Sequence, residues 1–210
     1  MEVTGQAKVA ETPDRVYIDI GVSTQAQKSE DAASQNATRL SAVLAAVKHA
    51  AGAGAQLTTT EYSISPNYNY PRNGGTPTVV GYTVSNVVQV RLDDLRRVGR
   101  VIDVATQSGS NNVQNIRFSL RDERAPRSEA LREAALNARQ DADALAGALD
   151  LRVVRVLSVD EQSPGVEPVY PRGRLFAQAL AVAAPTPVEA GTVDVSATVT
   201  LTVEVAPAKR

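Results

Sequence analysis

The chain has 210 residues, with 22 Lys plus Arg against 23 Asp plus Glu, one His, no Cys, no Trp and 43% hydrophobic residues. A net charge of −1 lacks the basic excess that a general nucleic-acid binder or an anionic-membrane binder needs. Without Cys there are no disulfides, thiolate zinc sites, iron–sulfur clusters or cysteine nucleophiles.

The length suits one domain or two small lobes. No run of about 18 apolar residues is present to span a bilayer, and the polar opening Met1-Glu-Val-Thr-Gly5 is unlike a secretory signal. The chain therefore reads as cytoplasmic, or as the mature part of an exported protein.

In chain order, residues 2–9 and 16–22 alternate apolar and polar side chains. They predict two strands joined as a hairpin by the turn residues Pro13-Asp14. A helix follows over about 30–51, capped by Ser29, with Ala33, Ala37, Leu40, Leu44, Val47 and Ala51 as its apolar stripe and Gly52 as its stop. Strands over 57–66 and 78–92 flank a loop, 66–75, that is too long for a two-residue turn. Asp93 or Asp94 caps a short helix that buries Leu95, Val98, Ile102 and Ala105 and ends near Gly109.

A strand over 112–121 leads into the longest helix, 128–149. Its predicted stripe is Leu131, Ala135, Ala138, Ala142, Leu145 and Leu149, so truncating Leu145 to Ala should cost about 2–5 kcal/mol. Residues 152–161 form a further strand. A Pro-rich stretch then precedes the clearest strand of all, 193–205, where Val193, Val195, Val199, Leu201, Val203 and Val205 alternate with polar neighbours.

The order β-β-α-β-β-α-β-α-β-loop-β with half-polar strands predicts an α+β fold of two lobes, each a mixed or antiparallel sheet covered by helices. One discontinuous lobe is expected from 1–75 plus 186–210, with the last strand returning to pair with the N-terminal strands. A ferredoxin-like lobe is expected over 76–161, with a Pro/Ala-rich loop at 162–185.

Chemistry-bearing residues do not converge. His49, the only histidine, sits beside Lys48 at a helix end with no G-x-S-x-G nearby, so no Ser-His-Asp triad is expected. One His and no Cys leave a transition-metal site short of ligands. Asp93-Asp94 reads as a cap, Glu129 and Glu133 flank Arg132 on a solvated face, and Asp141 and Asp143 point to different sides of their helix. Gly52-Ala-Gly54 follows a helix, whereas a phosphate-binding turn precedes one. Arg96, Arg97 and Arg100, and Arg117, Arg121, Arg124 and Arg127, could hold an anion but are interleaved with acids. The sequon at Asn36 lies mid-helix.

Two segments suggest recognition. Tyr62, Tyr68 and Tyr70 lie in and after the third strand as a possible recognition loop. Leu175, Phe176, Leu180 and Val182 lie in the 162–185 loop without an acidic neighbour, as a possible oligomer contact.

Several blocks, in order, resemble the SIMPL-domain family of YggE-like proteins. They are Val3-x-Gly5 leading to Pro13-Asp14 and Gly21-Val-Ser-Thr24; Ser65-Pro-Asn-Tyr68; Gly81-Tyr82 with Val88-Gln-Val-Arg-Leu-Asp-Asp-Leu95; Phe118-Ser-Leu-Arg-Asp122 followed by Glu129-Ala130; and Pro187-Val-Glu-Ala-Gly191. Together they span almost the whole chain as one SIMPL domain, with Gln6 departing from a second glycine. The resemblance implies a bacterial envelope or periplasmic location with the signal removed, a link to stress tolerance and ring-like or channel-like homo-oligomers. It implies no catalytic residue and no cofactor. The expected function is a non-catalytic, self-associating envelope protein. The alternative from another class is a small-molecule or anion-binding module, and a distant third is a hydrolase using Asp or Glu.

Overall fold

The computed structural model describes residues 1–71, 74–162, 167–169 and 186–208. The strands and helices are β1 (Glu2–Glu11), β2 (Arg15–Ala26), α1 (Ser29–Ala51), β3 (Gln56–Asn69), β4 (Thr78–Leu92), a 3₁₀ turn (Leu95–Arg97), α2 (Val98–Gln107), β5 (Asn112–Ser119), α3 (Arg124–Ala148), β6 (Leu151–Gln162), β7 (Glu167–Val169) and β8 (Thr192–Pro207). The fold is α+β with two separate sheets, as the alternating strands require.

The chain divides into two compact units, Met1–Pro13 with Ser119–Gly173 and Gly191–Arg210, and Asp14–Phe118 with Arg174–Ala190. These bounds differ from the lobes expected at 1–75 with 186–210 and at 76–161, because strand pairing rather than chain order sets them. β1 and β2 are not a hairpin. β1 pairs with β8 and β2 with β4, so Pro13-Asp14 carries the chain from one sheet to the other. The return of the last strand to the N-terminus is as expected, with Val3 opposite Leu201 and Val9 opposite Val195.

In the first unit the strand order is β1-β8-β6, with β7 also on β8, and α3 lies on β1 and β8. The buried face of α3 is Ala130, Ala134, Ala138, Ala142 and Ala146, each 0% exposed. This corrects the expected stripe. Leu145 is 49% and Leu149 65% exposed, so trimming Leu145 removes mostly wet surface and costs far less than expected. The four-residue Ala spacing wins because it lets the helix sit directly on the strand. A Cβ at Gly5 of β1 would overlap the carbonyl oxygen of Ala134 and the amide nitrogen of Ala138. Asn137 Nδ2 donates to the Gln6 carbonyl at 2.9 Å and fixes that approach.

In the second unit the chain runs β2-α1-β3-β4-α2-β5 and the sheet order is β3-β4-β2-β5. This is a split βαβ, ferredoxin-like arrangement. It starts at β2 rather than at the expected residue 76. Its core is Val16, Ile18, Ile20 and Val22 of β2, Val90 and Leu92 of β4, Val43 and Val47 of α1, and Val98, Val101 and Ala105 of α2.

The buried stripe of α1 is Ala32, Asn36, Val43, Val47, Ala50 and Ala51, not the one that includes Ala33, Ala37 and Leu44. The polar Asn36 hides it in the sequence, yet that side chain is 1% exposed. Its Nδ2 donates to the carbonyls of Val22 at 2.8 Å and Val84 at 3.1 Å, so a buried amide pins the helix to two strands. Burial also removes Asn36 from reach as a glycosylation sequon. At the helix ends, Gly52 adopts φ 84° as a C-cap, but Lys28 rather than Ser29 occupies the N-cap.

Gly5→Val is expected to lower the denaturant midpoint by an amount equivalent to about 1–3 kcal/mol or more, since the added side chain meets backbone that cannot yield. Chemical denaturation followed by circular dichroism checks it, and a change under about 0.5 kcal/mol contradicts the close approach.

Candidate functional site: paired charges and two apolar strands

The residues that could carry chemistry are spent on local structure. Asp93 accepts from Arg15 at 2.8 Å. Asp94 accepts the Arg96 backbone amide at 3.3 Å and the guanidinium groups of Arg96 at 2.9 Å and Arg97 at 3.2 Å, which makes it the expected cap. Arg97 also donates to the carbonyls of Ala50 and Ala51 at the end of α1, where a cation meets the negative end of the helix dipole.

Asp122 holds Arg124 at 2.5 Å, Glu161 holds Arg127 at 2.8 Å and Arg117 stacks on the Tyr17 ring at 4.5 Å. Arg96 and Arg97 thus share Asp94, whereas Arg117, Arg124 and Arg127 each meet a different group. Glu129 pairs with Arg132, and Asp143 with Arg139, along one helix. Among the described residues no group of three His, Cys, Asp or Glu is placed to hold a metal ion. His49 is exposed near the end of α1.

The cavities are open depressions. One of about 410 Å³ is lined by Gln6, Ala7, Lys8, Ser196, Ala197 and Thr198 of the first unit. Another of about 280 Å³ in the second unit lies by Gly52–Ala55, Leu92, Asp93, Asp94 and Arg97, where the charged groups already have partners.

Apolar exposure is concentrated on two edge strands. On β3 and the turn after it, Tyr62, Ile64, Tyr68 and Tyr70 are 56%, 45%, 49% and 70% exposed. The tyrosines singled out from sequence therefore do lie at the surface, with the rings of Tyr68 and Tyr70 6.3 Å apart. On β6, Val154, Val156, Leu157 and Val159 are 40–62% exposed. Sequence reasoning missed this second set by treating β6 as an ordinary covered strand. The signal was its near-continuous apolar run 153–159, which a one-faced strand does not need. The expected oligomer contact at Leu175, Phe176, Leu180 and Val182 lies outside the described residues.

The Arg96 hydrogen bond, with a smaller contribution from Arg97, holds the Asp94 carboxyl at about 2, below its ordinary 3.8. A depressed carboxylate adds stability above its unfolded pKa and loses it as pH falls through the folded value. Asp94→Asn should therefore flatten the fall of the unfolding midpoint between about pH 4 and pH 2, while His49→Gln leaves the midpoint unchanged at pH 7. Thermal melts across that range and at pH 7 check the two, and an unaltered pH profile for Asp94→Asn counts against the cap.

Residues 1–203 match the SIMPL family model, a protein of unknown function (DUF541). The 26 kDa periplasmic immunogenic protein of Brucella melitensis is 31% identical over 164 residues, 77% of this chain and 66% of the relative, and that of Brucella abortus matches equally. The uncharacterized protein YggE of Edwardsiella ictaluri is 24% identical over 176 residues, 84% of this chain and 73% of that protein. The aligned part of the chain thus spans just under two thirds of the length of the Brucella relatives. With a family match across almost its whole length, the chain belongs to the SIMPL family.

Proposed function

We propose that this protein is a non-catalytic, self-associating protein of the bacterial periplasm that takes part in envelope stress tolerance. The periplasmic part draws on the names of the Brucella relatives. The observation that carries self-association is the exposed run Val154, Val156, Leu157 and Val159 on the edge strand β6. An edge strand with a large exposed apolar surface is a liability that a neighbouring copy removes. The segment with Leu175, Phe176, Leu180 and Val182 belongs to the same reading, as does ring closure by head-to-tail contacts. The binding-module alternative gains nothing from Arg96, Arg124 and Arg127, whose charges are matched by Asp94, Asp122 and Glu161.

Light scattering coupled to size exclusion is expected to give a mass of several 22.2 kDa chains. Leu157→Ser with Val159→Ser should give a folded particle of lower mass. A monomeric parent contradicts self-association. Fractionation of cells expressing the gene with its native upstream sequence should place the protein in the periplasmic extract, and deletion of the gene should lower survival under envelope stress.

A further inference from the structure

Residues 62, 64, 66, 68 and 70 follow one another at strand spacing and are Tyr, Ile, Pro, Tyr and Tyr, with Ser63, Ser65, Asn67 and Asn69 between them. All five are exposed. Their cross-strand partners show which face they take. Ile64 lies opposite Val84, which is fully buried, and Tyr62 opposite Asn86, so the stripe is on the helix-covered side of the sheet. α1, however, packs on β2 and β4, and past Leu57, which joins the core, Tyr62 and Ile64 of β3 stay exposed.

Pro66 also marks a structural boundary. It pairs with Tyr82, and Tyr82 pairs with Ala26, the last residue of β2. Tyr62 and Ile64 therefore lie on the sheet, whereas Tyr68, Tyr70 and the facing Val79, 47% exposed, lie on a two-stranded arm beyond it. Such a ribbon is marginal in water without a packing partner.

We propose that this stripe is a two-fold contact between copies of the chain, in which each copy's arm covers the uncovered β3 face of the other. The inference rests on the self-association reading but assigns a contact different from β6. Three observations single out a second copy as the occupant. The stripe is self-complementary about Pro66: an antiparallel partner sets Tyr62 against Tyr70 and Ile64 against Tyr68, as an isologous contact demands. It carries no charge to repel its own copy, since Arg72 is the one charged residue from Tyr62 to Val90. Its area is that of a small interface. The three tyrosines alone expose roughly 350 Å², taking ~200 Å² per side chain. Ile64, Pro66 and Val79 extend this toward the ~800 Å² per partner of a standard interface. The contact joins side-chain faces, because the proline at its centre has no N–H to give to an added strand.

The absence of cysteine makes the test direct. Tyr62→Cys and Tyr70→Cys proteins, mixed under mild oxidation, should form a disulfide-linked dimer at least tenfold faster than either alone. Pro66→Cys should cross-link by itself. Gln140→Cys, on the exposed side of α3, gives the random-collision rate. Tyr68→Ser with Tyr70→Ser should lower the particle mass at an unchanged circular dichroism spectrum. Cross-linking no faster than for Gln140→Cys, or a Tyr68→Ser, Tyr70→Ser variant with the parent's mass, overturns this contact while self-association stands. A monomeric parent overturns both.

Discussion

Backbone contact between α3 and β1 at Gly5 governs the first unit. With Gly5 on the strand and alanine at every fourth helix position, the helix approaches until any Cβ at residue 5 would overlap the Ala134 carbonyl. A helix this close gains dispersion from many backbone atoms. Its contact face is narrow and its side chains are small, so it covers β1 and β8 and buries little area for its 25 residues. The large side chains that a looser helix would tuck beneath it stay outside. Leu136 and Leu145 on the helix, Leu149 at its C-cap and Val154, Val156 and Val159 of β6 are exposed. The apolar surface offered to a neighbour is therefore a consequence of how the unit packs internally.

The second unit reaches a similar result by another route. A split βαβ arrangement lays α1 and α2 on one sheet face, and the Asn36 amide fixes α1 over the β2–β4 pair by donating to one carbonyl of each. That anchor costs the helix its freedom to shift toward β3. The edge strand keeps its period-two pattern, yet among the described residues Tyr62 and Ile64 stay exposed. Both units thus build a full core under the middle of the sheet and leave an apolar edge strand.

Much of this was legible in the residues, and the failures have physical causes. Element positions followed from alternation and from breakers such as Gly52, because those signals are local. Strand partners were legible in part: the return of β8 to β1 was expected, but Pro13-Asp14 has the same turn chemistry whether it closes a hairpin or crosses between sheets, so β1 and β2 were wrongly joined. Helix faces were misjudged for a different reason. Reading the largest apolar side chains as the core favours Leu145 over Ala146 and Leu44 over Asn36, but burial follows backbone approach and hydrogen bonding as well as volume. Of the surface features, the tyrosines were visible as residue types. Their continuity with Ile64 and Pro66 appears only when the period-two count runs through the proline. The apolar run of β6 was visible too, but only sheet order reveals it as an edge.

Several of the surface charges are neutralised close to home. Asp94 with Arg96 and Arg97, Asp122 with Arg124, Glu129 with Arg132 and Arg139 with Asp143 are each closed within four residues. Most are exposed and contribute little stability. Their effect is on the field: a charge matched within one turn adds little to the long-range attraction of a polyanion or a charged substrate. A partner must then be selected by shape and apolar area, with encounter rates of the unsteered kind and little dependence on salt. An uncharged, self-complementary stripe meets that requirement best on another copy of itself, where both faces are matched without any need for a second surface to match it.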